Sequence, residues 1–268
     1  MYRQFFNLTD TPFKKSLQIE KLFFSPQFNE LSARFEFLKC NRGFMLFTGD
    51  SGTGKTTAIR YLFETIKKSS FLPVYLQLST VTPIEFYRQL NSALGGELLF
   101  RKCDLFVSIQ KLILDFSINK NRIPIIVLDE SHFLKNNIFF ELQLMLNFNI
   151  DSLDPAIIIM VGHPHLYHRL NAPVYTSLFN RINIFFNLPY LSKSESFEYI
   201  NHHLKISGAK TEIFNQNALN TIFNISNGNI RLINRLAFDA ILYATQNKKD
   251  LIDENIIFIV SNYSNKKD

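Results

Sequence analysis

Residues Gly49-Asp50-Ser51-Gly52-Thr53-Gly54-Lys55-Thr56 fill the pattern G-x-x-x-x-G-K-[ST] at every position. A short apolar run, Gly43–Thr48, precedes them. A helical period with Ile59, Leu62, Phe63 and Ile66 on one face follows. A glycine-rich turn between a strand and a helix lets the backbone wrap so that its N–H groups face one point. The positive end of the helix dipole faces the same point. That combination suits a phosphate group.

The rest of the chain repeats the alternation of strand and helix. Val74–Leu78, Ile125–Leu128, Ala156–Val161 and Ile182–Leu188 read as further strands. Ile125–Leu128 and Ala156–Val161 are uninterrupted apolar runs, of the kind buried on both faces of a parallel sheet. Helices are expected from Pro83 through Leu94, stopped by Gly95-Gly96, and over Asp104–Phe116. The apolar stripe of the second is Leu105, Ile109, Leu112, Ile113 and Phe116. Residues 1–190 are therefore expected to form a doubly wound α/β domain. The pattern then turns helical. Ser192 and Glu195 stand in the two roles of a capping box. Ala218, Leu219, Ile222 and Phe223 make one stripe, and Ile233, Leu236, Ala237, Ala240, Ile241 and Ala244 another. A small all-helical domain is expected over residues 191–268, with the polar tail Ser261–Asp268 fraying.

Composition removes several other classes. With 268 residues, 46% hydrophobic and 19% charged, the chain can bury a full core and is neither disordered nor collagen-like. No apolar run approaches the ~20 residues of a membrane span. The opening residues lack a charged-then-apolar targeting pattern. The expectation is a cytoplasmic protein with no membrane partner. Cys40 and Cys103 offer neither metal-ligand spacing nor a disulfide framework and read as buried or inert thiols. The 28 Phe, beside no Trp, read as core material. A net charge of +6 permits an acidic partner such as nucleic acid without establishing one.

Chemistry gathers on a few residues. Lys55 is placed to reach the β- and γ-phosphates of a nucleotide, and the Thr56 hydroxyl to ligate Mg2+. Ile125-Ile126-Val127-Leu128-Asp129-Glu130 is an apolar strand ending in two acids. Asp129 would hold the hydration shell of Mg2+ and Glu130 would polarise the attacking water. An ordinary strand-end acid pair is the alternative. No guanine-reading motif is visible, which favours ATP. His163, just past a strand at Val161-Gly162-His163-Pro164, is the candidate sensor of the γ-phosphate. His163, His165 and His168 suggest a metal, but Pro164 and the lack of nearby acids argue for scattered loop histidines. Arg181 stands just before the fifth strand, as an arginine finger for a neighbouring subunit or as a solvated or carboxylate-paired residue; Arg169 is the reserve. Arg231, in Gly228-Asn229-Ile230-Arg231, is either a second sensor or an exposed arginine. Arg101-Lys102 and the pair Lys120 and Arg122 are candidate contacts to DNA phosphates, sequence-independent, or else solvated loop charges.

In this order, and followed by a helical lid, these elements resemble the AAA+ ATPases. More narrowly the chain is similar to the ExeA-like and TnsC/TniB-type ATPases. The resemblance rests on Phe5-Phe6-Asn7-Leu8 with Asp10-Thr11-Pro12-Phe13, on Arg42-Gly43-Phe44, on Gly162-His163-Pro164-His165-Leu166, and on Gly228-Asn229-Ile230-Arg231-Leu232-Ile233-Asn234-Arg235-Leu236. It implies that Gly49, Asp50, Ser51, Gly52, Thr53, Gly54, Lys55, Thr56 and Thr57 bind ATP and Mg2+. It further implies that Asp129 and Glu130 serve hydrolysis, that His163 is the first sensor, where relatives often carry Gln, that Arg181 is the finger and that Arg231 is the second sensor. Pro12-Phe13 would line the adenine site or act as a packing anchor. The resemblance also implies a homo-oligomer, as a ring or a filament. ExeA-like proteins continue past the lid into a membrane span, so the expectation here is a transposition helper that assembles on double-stranded DNA and engages a transposase-like protein. The alternative is a protein target in secretion-complex assembly. A nucleotide-gated adaptor that does not hydrolyse is disfavoured by intact Lys55, Asp129 and Glu130.

Overall fold

The structure is a computed structural model that describes residues 2–14, 16–77, 81–148 and 154–264. In chain order the elements are α1 (Tyr2–Phe5), α2 (Pro26–Asn41), β1 (Gly43–Gly49), α3 (Lys55–Thr65), β2 (Phe71–Gln77), α4 (Pro83–Ala93), α5 (Lys102–Leu114), β3 (Ile123–Asp129), α6 (Asn136–Met145), β4 (Ile157–Gly162), α7 (His165–Leu170), α8 (Thr176–Phe179), β5 (Ile182–Leu188), α9 (Lys193–Ile206), α10 (Gln216–Ser226), α11 (Ile230–Gln246) and α12 (Glu254–Ser264). They form two compact units. One is Phe28–Asp50 with Lys55–Leu188; the other is Met1–Gln27, Ser51–Gly54 and Pro189–Asp268.

The first unit is built on a five-stranded parallel sheet in the order β2-β3-β4-β1-β5. Burial follows the sequence pattern. β1 and β4 are buried throughout and β3 at all but its first residue, whereas the edge strand β5 alternates buried and open positions. Pro73, which has no N–H to give a ladder, lies in the other edge strand, β2. Side-chain alternation divides the core between the two sheet faces. Phe44, Leu46, Ile126, Leu128, Ile158 and Met160 pack with α4, α5 and α6. Met45, Phe47, Val127 and Ile159 pack with α2 and α3. This is the expected α/β architecture. The α-helix expected through Phe116 ends at Leu114 and gives way to a π-helical turn over Asp115–Asn119. Leu78 of the expected second strand lies outside the described residues.

Seating β4 between β1 and β3 has a functional consequence. In a parallel sheet all strands end at the same edge. The phosphate loop after β1, the turn after β4 and the acids after β3 therefore line up along that edge.

The second unit is helical. Ser192 starts α9 with a complete capping box: its N–H donates to Glu195 Oε2 at 2.8 Å, and Glu195 N–H donates back to Ser192 Oγ at 3.4 Å. Ile200, Ile222, Ile233, Ala237, Ile241 and Ile257 form the centre of its core. Phe6, Leu8 and Phe13 are buried in the same core. Residues 1–27 thus depart from the expected grouping of 1–190. Their apolar side chains need cover, and Thr9 and Asp10 anchor them by donating backbone N–H groups to the Ser207 carbonyl. The tail also departs from expectation. Ser261 is buried and its Oγ donates to the Phe258 carbonyl at 2.9 Å, so α12 continues to Ser264. Residues 265–268 lie outside the described residues. Among the described residues no helix is long and apolar enough to cross a membrane.

Candidate functional site

Lys55 is the first residue of α3 and is only 8% exposed. Its ammonium donates to the Gly49 carbonyl at 2.7 Å and the Asp50 carbonyl at 3.0 Å, so it is held inside its own loop. The glycines answer a backbone demand. Gly52 has φ +87° and Gly54 φ +100°, conformations that cost other residues dearly. A Cβ on Gly52 would also lie 2.2 Å from Asn229 Oδ1. Ser51–Gly54 belong to the helical unit, and the start of α11 holds them there. Asn229 caps that helix, with Oδ1 accepting from the N–H groups of Arg231 at 3.0 Å and Leu232 at 3.3 Å. Its Nδ2 donates to the Ser51 carbonyl at 3.0 Å. Arg231 Nη1 donates to Ser51 Oγ at 3.0 Å. Thr53 is buried, whereas Thr56 and Thr57 are exposed in the first turn of α3.

Asp129 closes β3 and is buried. Its Oδ1 accepts from Glu130 N–H at 2.8 Å and its Oδ2 from the Tyr75 hydroxyl at 2.6 Å. Burial, and then the hydrogen bond to Asp129, push the Tyr75 phenol well above its ordinary range. Sequence reading missed Tyr75, because only the pairing of β2 with β3 brings it to the acid. Glu130 sits at φ +56°, ψ +32°, a left-handed conformation that costs a residue with a side chain about 1–3 kcal/mol. Its side chain is 37% exposed. The Asp129 carboxylate and Thr56 hydroxyl are hard oxygen donors of the kind Mg2+ selects, and these residues fit that ion.

The histidines depart from the scattered arrangement expected. His132, His163 and His165 gather, with ring centroids 4.6 Å (132 to 163), 5.2 Å (132 to 165) and 6.0 Å (163 to 165) apart. Among the described residues no group of three or more His, Cys, Asp or Glu could hold a metal ion. His132 follows the acids in the run Asp129-Glu130-Ser131-His132, and its meeting with His163 and His165 is what the sequence did not show.

Arg181 precedes β5, at the edge of the sheet where the strands begin, and its Nη1 donates to the Gln143 carbonyl at 3.3 Å. The phosphate loop follows the other end of β1, so about 20 Å of strand lies between them at ~3.3 Å per residue. The reserve candidate, Arg169, is committed elsewhere. It donates to the carbonyls of His132 at 3.2 Å and Leu134 at 2.6 Å and lies over the Phe139 ring, fixing the turn after the acids. The basic clusters are also engaged. Arg101 binds both oxygens of Asp104, Lys102 pairs with Glu141, and Lys120 pairs with Asp115 at 2.7 Å. Arg122 Nε donates to the Phe71 carbonyl at 3.2 Å. Phe13 stacks on His203 with ring centroids 5.2 Å apart and is buried in the helical core. Cys40 and Cys103 are free and exposed, not buried.

Residues 39–170 match the family described as AAA domain. The chain is 30% identical over 259 residues to General secretion pathway protein A of Aeromonas hydrophila, over 91% of this chain and 45% of that protein. It therefore spans about half the length of this curated relative. Cdc6p from Pyrobaculum aerophilum shares the fold with a TM-score of 0.67 at 18% identity, over 90% of this chain and 67% of that one. The Aeropyrum pernix ORC1 protein, solved in complex with DNA, has a TM-score of 0.66 at 15% identity, over 91% and 66%.

Proposed function

We propose, from the match of residues 39–170 to the AAA domain family and from the phosphate loop and strand-end acids, that the chain works as an oligomeric ATP-driven switch in the cytoplasm, with a protein as its target. The observation that carries this reading is the placement of groups on one sheet. Gly49, His163 and the pair Asp129 and Glu130 share one edge, and Arg181 stands at the opposite edge. A guanidinium so placed serves the nucleotide of another copy, not its own.

The chain's residues divide the work. Backbone N–H groups of Gly49–Thr57 cradle the phosphates, and Lys55 exchanges its two carbonyl partners for phosphate oxygens. Thr56 and Asp129 would hold Mg2+, which would supply neutralising charge for the phosphates. Glu130 accepts a proton from the water that attacks in line. His163 reads the γ-phosphate from the turn after β4. Arg231, bonded to Ser51, ties the first turn of α11 to the loop tip. Glu130→Gln is expected to bind ATP, release no phosphate and remain assembled. Arg181→Ala is expected to bind ATP and lose the hydrolysis that rises with protein concentration. Rapid turnover by Glu130→Gln, or unchanged turnover by Arg181→Ala at high concentration, would remove the residue concerned from the site.

The protein target follows the secretion-pathway relative. A second reading, a transposition helper that assembles on duplex DNA and engages a transposase-like protein, draws support from the +6 charge and from the DNA-bound ORC1 fold relative. Its candidate contacts, Arg101, Lys102 and Lys120, stand in exposed carboxylate pairs that a phosphate can replace at small cost. Anisotropy of a labelled random duplex, titrated with ATP, a non-hydrolysable analogue, ADP and no nucleotide, separates the two. The protein-target reading expects no binding in any state. Cooperative binding confined to ATP and the analogue would favour the DNA reading.

A further inference from the structure

His132 is left without a task by the phosphate chemistry, yet its surroundings are costly. Its side chain is 6% exposed, and Nδ1 is buried with no hydrogen-bond partner. A buried polar atom left unpaired calls for a reason. The acceptor it faces is Glu130 Oε2 at 3.4 Å, just beyond good hydrogen-bond distance. The backbone around the ring is fixed from several sides. Arg169 holds the His132 and Leu134 carbonyls, and Ser131 Oγ donates to the Leu128 carbonyl at 2.7 Å. Gly162 leaves room for the ring, since a Cβ there would lie 3.3 Å from His132 Nδ1. The rings of His163 and His165 meet its edge, and Phe133 lies 4.1 Å away by ring centroid.

We propose that His132 is a positioning residue for Glu130: carrying its proton on Nδ1, it closes the 3.4 Å gap and donates to Oε2. The other carboxylate oxygen is then turned toward the attacking water. This rests on the reading of Glu130 as the group that polarises that water. The imidazole is suited to act as a neutral donor. Burial first, then the charges of His163, His165 and Lys55, push it down to about 4, with Asp129 pulling the other way. The contact between the His132 and His163 rings joins the γ-phosphate sensor to Glu130 through a single step.

The test is steady-state ATP hydrolysis by the full chain, with binding of a fluorescent ATP analogue and thermal melting as separate readouts. His132→Phe keeps a ring and removes the donor. His132→Asn keeps a donor near the Nδ1 position, and His132→Gln moves it toward Nε2. The Phe and Gln variants are expected to lose kcat by about 10- to 100-fold, the scale set by misplacing a reacting group by ~1 Å. Analogue affinity should hold, and Asn should stay close to wild type. Wild-type kcat in His132→Phe, or Asn falling as far as Gln, overturns the proposal. Should the Phe variant fail to fold, the contrast between Asn and Gln decides alone. Wild type and Glu130→Gln run alongside. An inert wild-type chain, or an active Glu130→Gln, defeats the ATPase roles themselves. A dead Glu130→Gln beside a fully active His132→Phe defeats only the positioning role.

Discussion

At the scale of single residues, the site depends on a few atoms held in costly states. Gly52 combines a left-handed φ with a gap that Asn229 fills. Gly52→Ala should weaken binding of a fluorescent ATP analogue by about tenfold or more, since backbone strain and a clash each cost more than ~1 kcal/mol. Unchanged affinity would show that the loop tip relaxes freely. His203 gives a pH-dependent counterpart. Burial first, and then neighbouring His202, hold it down to about 4. The unfolded chain takes up that proton near pH ~6.5, whereas the fold resists until about pH 4. The contribution of His203 is therefore lost as pH falls through that window, by up to about 3 kcal/mol, and is constant above it. His203→Phe keeps a ring against Phe13, and its melting temperature should fall less on acidification than that of wild type; equal acid slopes would contradict this. Legibility at this scale divides along the chain. Gly49–Thr56, Asp129 and Glu130 could be read because the phosphate loop and the strand-end acids are each contiguous. Tyr75 could not, because the pairing of β2 with β3 brings it in and leaves no linear pattern; His132 stands two residues after Glu130, within the contiguous run Asp129-Glu130-Ser131-His132, but that run alone assigns it no task.

At the scale of elements, the uninterrupted apolar runs of β3 and β4 were legible as strands buried on both faces, whereas the edge position of β5 is seen only in the fold. What the sequence did not show is that β4 lies between β1 and β3, because strand order is a property of long-range packing. Leu144 in α6 and Val174 before α8 are 59% and 62% exposed, and Phe140 is also open. Phe140 contacts Tyr175, next to Val174, and the Gln143 carbonyl, next to Leu144, accepts from Arg181. Exposed apolar side chains grouped in this way suit burial against another copy. Leu144→Glu should leave analogue binding intact and remove the rise of specific activity with protein concentration. A variant that still shows that rise would place the assembly face elsewhere. Helix caps make a smaller claim. Ser192→Ala should lower stability by about 1 kcal/mol, read in a urea melt.

At the scale of the whole molecule, the sequence conveyed the class of fold and misplaced the N-terminus. Phe6, Leu8 and Phe13 read only as apolar residues near a chain end. Their burial among α9–α12 depends on a core assembled from residues some 200 positions away in sequence. The proposed roles need more than one chain, since the acids and Arg181 stand at opposite edges of the sheet. Mixing two disabled variants tests that directly. On the proposed roles, Glu130→Gln keeps Arg181 but loses the group that activates water, and Arg181→Ala keeps Glu130 but loses the finger. Each alone should release almost no phosphate. Mixed in equal amounts they should recover turnover, because Arg181 of one copy completes the site that holds Glu130 of the other. A mixture no more active than its separate components, at any protein concentration, would contradict a site shared between copies.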